Sequence, residues 1–148
     1  MELYDDFPFD YARTLFPEAR GYRVRLDPDF RSVFCRILQS GYRVAQLHLT
    51  YMPGNSSLLI LHDMRVRKEH RGRGHGHNLH RLVINWATCV RAVRLVCTVR
   101  ESNLVQKHLL RATGWTRASV LVNPRTLREI GNWEYTFPIV TTLNRLAP

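Results

Sequence analysis

Runs of apolar β-forming residues separated by turn signals fill the first half of the chain. "GYRVRL" (21–26), "FRSVFCRIL" (30–38), "YRVAQLHLTYM" (42–52) and "LLILHDMRV" (58–66) read as strands. "QSG" and "PGNSS" lie between them and predict tight turns, so the expected arrangement is an antiparallel meander. Ahead of it, Pro8 and Pro17 bracket one short helix. After residue 70 the period changes. Leu79, Leu82, Val83, Trp86 and Val90 recur at helical spacing, with His80, Arg81, Asn85 and Arg91 assigned to the surface. "VRLVCTV" (93–99) is a further apolar strand, and Asn103 opens a second helix that Gly114 closes. "WTRASVLV" (115–122) and "WEYTFPIV" (133–140) are the last strands, around a "NPRTLREIGN" loop. A strand–helix–strand unit implies a parallel pair inside a mixed sheet. The expected fold is a single α/β (α+β) domain over residues 1–148, without repeats or linkers.

Composition narrows the partners. A chain of 148 residues suits one core, and 45% hydrophobic residues with three tryptophans oppose disorder. The formal net charge is +10, but Glu2, Asp5, Asp6 and Asp10 place −4 on the first ten residues, leaving +14 on the rest. Almost all the cations are arginines, whose planar forks suit phosphate and carboxylate. Anionic partners are therefore expected and cationic small molecules disfavoured. Cys35, Cys89 and Cys97 show no CxxC spacing and read as buried small apolar residues in a reducing compartment. The N-terminus has no positive region or apolar run, and no stretch reaches membrane-spanning length. The expectation is a soluble cytoplasmic protein with no membrane partner.

"EHRGRGHGHNLHRL" (69–82) carries the candidate chemistry. His70, His75, His77 and His80 invite a metal, yet no acidic or cysteine ligand stands at a recognised spacing, so no metal is expected. Residues 65–81 hold a local +5, enough for nucleic-acid phosphates, but no aromatic residues alternate with the arginines as a base-stacking surface wants. A phosphate cradle uses every element of the stretch. A strand ends near Val66, a turn contains Gly72, Gly74 and Gly76, and a helix starts at once. Glycine lets backbone approach an anion, and a helix start presents unpaired N–H groups and a positive dipole end. Arg71 and Arg73 add charge.

Arg71-Gly72-Arg73-Gly74-His75-Gly76 fits the [Q/R]-x-x-G-x-[G/A] signature, and the chain here resembles the GNAT superfamily of acetyl-CoA-dependent N-acetyltransferases. "VRESN" followed by "HLLRATGW" is similar to the family's second hallmark, with Gly114 and Trp115 eleven and twelve residues after Asn103. "VRESN" also resembles a segment of ribosomal-protein N-terminal acetyltransferases. The resemblance covers about residues 42–140; residues 1–41 are atypical, and residues 58–113 form the acetyl-CoA-binding core. It implies a mixed central sheet splayed at the cofactor site and flanked by helices. It also implies acetyl-CoA as co-substrate, with its pyrophosphate on the backbone of Arg71, Gly72, Arg73, Gly74, His75 and Gly76. Met64, Arg65 and Val66 would pair with the pantetheine arm like an added strand, and Asn103 would contact that arm.

The family's proton-handling groups differ here. Leu110 stands where members often carry a tyrosine acid, and Thr98 where the ribosomal-protein enzymes carry a glutamate base. His62, four residues before Val66, matches the catalytic histidine of serotonin-type arylalkylamine acetyltransferases, and strand alternation puts it on the face of Met64 and Val66. An imidazole suits deprotonation of an ammonium near neutral pH. His62 is therefore the candidate catalytic residue. Acidic residues near the cleft are few: Asp63, Glu101 and Glu134. A protein or peptide amine, or the amine of an aminoacyl-tRNA, is the expected acceptor, and a homodimer is allowed. The competing reading is a catalytically impaired GNAT-like module that binds CoA, nucleic acid or protein.

Overall fold

The computed structural model describes residues 6–137 apart from 18, 20, 27–31, 40 and 53. The elements run α1 (Phe9–Leu15), β1 (Gly21–Leu26), β2 (Ser32–Gln39), β3 (Tyr42–Met52), β4 (Asn55–Val66), α2 (His75–Cys89), β5 (Arg94–Arg100), α3 (Leu104–Ala112), β6 (Thr116–Val122) and β7 (Glu129–Thr136). The strands form one sheet in the order β1-β2-β3-β4-β5-β7-β6. The meander pairs antiparallel from β1 to β4, and β4 pairs parallel with β5. The expected short helix between the two prolines is α1.

Two crossovers decide where the helices go. α2 links β4 to its neighbour β5, and α3 links β5 to β6, which lies further along in the same direction. Right-handed connections moving one way across a sheet put both helices on one face. The core follows: Ala12 of α1, Leu79, Leu82, Val83 and Trp86 of α2 and Leu110 of α3 share one buried cluster with Leu47, Leu49, Leu59, Leu61 and Leu95 of the strands. Phe7 closes it edge-on to Trp86, with centroids 5.0 Å apart. The other neighbouring strands in sequence, β1–β2, β2–β3, β3–β4 and β6–β7, are antiparallel neighbours joined by short connections. Among the described residues, no helix covers the second face.

The structure corrects four sequence expectations. β4 starts at Asn55, three residues early. β7 starts at Glu129, inside the expected loop, because Asn123 closes a tight turn by accepting from the backbone N–H groups of Arg125 (2.9 Å) and Thr126 (3.3 Å). Residues 138–140 of the expected last strand, and 30–31 of the second, lie outside the described residues. Cys89 is exposed, whereas Cys35 and Cys97 are buried. His80 is 0% exposed rather than on the surface. Helical periodicity identifies the stripe facing the sheet, but α3 covers a second stripe of α2, and His80 lies there against Gln106 (3.2 Å) and edge-on to Trp115.

Candidate active site

The site begins where two strands part. β4 and β5 are in register only at Leu58–Arg94, Leu59–Leu95 and Ile60–Val96. Beyond Ile60, β4 runs on to Val66 and β5 to Arg100 without pairing to each other, though each stays paired on its other side. A cavity of about 450 Å³ fills the gap, lined by His62, Met64, Arg65, Thr98, Asn103 and Gln106 among others. Backbone groups on this edge of β4 have no neighbouring strand, so an extended ligand arm can take that place.

At the end of β4 the chain makes a 3-10 turn (Lys68–His70) and then the glycine loop. Gly72 and Gly74 have φ of +78° and +81°, left-handed values that favour glycine, and open space surrounds the position of a side chain at either. Gly74 is the N-cap of α2. The helix's first backbone bond runs from the Asn78 N–H to the Gly74 carbonyl at 3.0 Å, so the N–H groups of Gly76 and His77 have no intrahelical acceptor. Gly76 serves packing as well: a Cβ there would stand 3.0 Å from Leu109 Cδ1 on α3. The Arg71 Nε donates to the Val66 carbonyl at 3.0 Å, tying the loop back to β4. Arg73 is exposed. The His75 ring stacks on Phe16, centroids 5.5 Å apart, so its side chain joins α1 to α2. On the far side of the gap Asn103 lines the cavity and caps α3, its Oδ1 accepting from the Gln106 N–H at 3.1 Å. Of the sequence-expected groups, Met64, Arg65 and Asn103 line this one cleft, while the glycine loop follows the end of β4 and Arg73 and His75 line a separate cavity beside α1.

His62 departs from the expected geometry. Leu49 pairs with Leu61 and His48 with Asp63, which leaves His62 as the extra residue of a β-bulge. The bulge resets the alternation. Met64 pairs with Leu47 on the core face, while His62 joins His48 and Thr50 on the bare face. It is not on the face of Met64 and Val66, because alternation holds only while the ladder is unbroken. Thr50 Oγ1 and His62 Nε2 are hydrogen-bonded at 2.6 Å, and the His48 ring lies 4.9 Å away, centroid to centroid. Partial burial holds the His62 pKa below its ordinary 6.5. His62, Thr98 and Cys97 also border a second cavity of about 290 Å³, lined from the bare face by Arg94, Asn132 and Glu134. His62 thus stands between two cavities.

The remaining groups are committed elsewhere. Leu110 is 0% exposed in the core cluster and does not line the cleft. Burial pushes the Cys97 thiol up to about 12, so it stays protonated and a poor nucleophile. Asp63 accepts from Arg65 (3.0 Å) and Gln46 (2.9 Å), and Glu134 lies 3.6 Å from Arg94. Glu101 is held by Lys107 (2.6 Å) and Arg117 (2.9 Å), and the hydrogen bond from Lys107 is the main cause of its lowered pKa. Sequence reasoning missed Thr50, whose partnership with His62 depends on strand register and leaves no mark in the sequence.

This arrangement matches known folds. The chain is similar to the structure of nourseothricin acetyltransferase at 21% identity and TM-score 0.64, over 79% of this chain and 84% of that one. It is similar to the ribosomal-protein-S18-alanine N-acetyltransferase of Escherichia coli at 14% identity and TM-score 0.64, over 86% of each chain. A putative streptothricin acetyltransferase of Bacillus anthracis in complex with acetyl coenzyme A is also similar, at 13% identity and TM-score 0.64, over 73% of this chain and 64% of that one. No curated protein matches the sequence. The model of the acetyltransferase (GNAT) family matches residues 1–115, taking in the atypical N-terminal segment, the splayed strands, the glycine loop and Asn103. On that match and this architecture, the chain belongs to the GNAT family of acetyltransferases.

Proposed function

We propose that the protein transfers the acetyl group of acetyl-CoA to an amine that reaches the site from the bare face of the sheet, with His62 as general base. The observation that carries this reading is the join of a strand gap to a glycine loop and a helix N-terminus. The gap is long enough for an extended arm, and the loop's left-handed glycines leave room for a pyrophosphate against backbone. Arg73 beside the loop adds charge of the right sign. When bound, acetyl-CoA supplies an acyl group on a thioester. Backbone of Met64, Arg65 and Val66 would hold its arm, and the residues from Arg71 to Gly76 its phosphates. His62 borders both this cleft and the cavity on the bare face, so its imidazole can take a proton from an incoming ammonium. Each acidic side chain near the cleft already has a cationic partner, which favours neutral or anionic acceptor carriers over polyamines. An amine on a protein or on an aminoacyl-tRNA meets that condition.

The experiment has two parts. Saturating acetyl-CoA should raise the melting temperature, equivalent to about 2.7 kcal/mol at a hundredfold excess over Kd. No shift would overturn the reading. Replacement of His62 by Ala should then lower acetyl transfer to a panel of peptide and aminoacyl-tRNA amines by roughly a hundredfold while leaving that shift intact. A base must be neutral to act, and the His62 pKa lies below 6.5. Transfer by the wild type should therefore rise along a limb with its midpoint below pH 6.5 and level off above it. The limb should vanish in H62A, and an unchanged profile would remove His62 from the mechanism.

A further inference from the structure

The sheet face that no helix covers among the described residues is also charged. Arg36 on β2, Arg43 on β3, Arg65 on β4 and Arg94 and Arg100 on β5 are exposed. Asp63 and Glu134 are the acidic groups among them, and each is engaged, with Arg65 and with Arg94. Arg36, Arg43 and Arg100 have no acidic partner among the described residues. Register puts Arg36 and Arg65 in one row either side of Gln46, and adjacent paired strands are about 4.8 Å apart, so the arginines from β2 to β4 span roughly 10 Å before β5 splays away. That is too wide for one small anion and suits a chain of phosphates.

Rings lie among these charges. His48 and His62 form a tilted pair with centroids 4.9 Å apart. The basic stretch 65–81 has histidines but no Phe, Tyr or Trp, and folding brings two further imidazoles, from β3 and β4, onto the arginine-bearing face. Flat sheet faces that combine arginine with planar side chains bind unstacked bases, whereas an acidic peptide would use the charge alone. We propose that the face opposite the helices binds single-stranded nucleic acid, with phosphates on Arg36, Arg43 and their neighbours and bases against His48 and His62. The proposal goes beyond acetyl transfer and does not depend on it.

The test is fluorescence anisotropy of a labelled mixed-sequence single-stranded RNA twelve-mer with the full chain over a salt series. Binding should weaken with salt, the logarithmic slope being about −0.7 per phosphate contact, or roughly −2 for three. Replacing both Arg36 and Arg43 with Glu should weaken binding at low salt by roughly tenfold or more and flatten the slope by about 1.4. The control Arg81→Glu makes one such charge reversal on the exposed surface of α2, on the other side of the molecule, and should leave binding within about twofold. Melting temperatures without ligand establish that the variants fold. His48→Ala should weaken single-stranded RNA while leaving duplex RNA of equal length unchanged, since only unstacked bases reach the imidazole. Absence of binding at low salt, equal competition by poly-glutamate, or an equal loss in R81E and in R36E/R43E would each overturn the proposal.

Discussion

His80 is 0% exposed between α2 and α3, with its Nε2 on Gln106 and no hydrogen-bond partner for its Nδ1 among the described residues. Burial pulls its pKa down to about 4, with the charge of His77 adding to the effect. The unfolded chain takes up that proton near pH 6.5, the folded chain only near 4. Stability is therefore full above pH 6.5 and falls as the pH drops towards 4, by about 3 kcal/mol. Urea denaturation at pH 7.5 and 4.5 should show that loss, and His80→Leu should flatten it. An equal loss in the variant would show that other groups govern acid sensitivity. His62 shows the same dependence on surroundings. Its residue type and distance from Val66 are legible in the sequence, but its face is not. One extra residue in the ladder turned it from the core side to the bare side, beside Thr50.

The strand, glycine loop and α2 form the element on which the site rests, and most of it is legible in the sequence. Strand end, glycines and helical period follow one another, and the structure starts α2 at His75, within one residue of expectation. The conformational demand is concentrated at Gly72 and Gly74. At Gly74, φ is +81° and a side chain would meet nothing within 4 Å, so the cost of Gly74→Ala is backbone strain alone, about 1–2 kcal/mol. Denaturation should show that loss. The acetyl-CoA melting shift should shrink further than stability alone explains, because the loop must leave its left-handed turn to relieve the strain. A normal shift in G74A would place the phosphates elsewhere. Pattern could not supply the extent of β7, which begins four residues early because a single side chain, Asn123, closes the hairpin turn.

The two halves of the molecule meet along a short seam, three register pairs between β4 and β5, so other links must hold the splayed end together. The contact of His80 on α2 with Gln106 on α3 is one of them, while Glu101 ties together the elements on the β5 side. From the end of β5 it binds Lys107 of α3 and Arg117 of β6, and a Cβ at Gly131 of β7 would come within 2.9 Å of its Oε1. Its carboxyl is held below the usual carboxylate range, first by Lys107 and then by Arg117. Its contribution is therefore present above the unfolded value of about 4.5 and lost as the pH falls through the folded one. Glu101→Gln should melt below the wild type at pH 7, and the difference should narrow as the pH falls below 4.5; a constant difference would mean that packing, not charge, is lost. By itself the sequence determined the element order, the parallel pair, the glycine loop that opens α2 and the family. Those rest on local period, on turn chemistry and on backbone that only glycine adopts freely. Tertiary structure decided which helix stripes are buried, on which side of the sheet His62 stands, and that one face is bare and rich in arginine. These depend on register, on a bulge and on crossover handedness, which join residues far apart in the chain and leave no periodic trace along it.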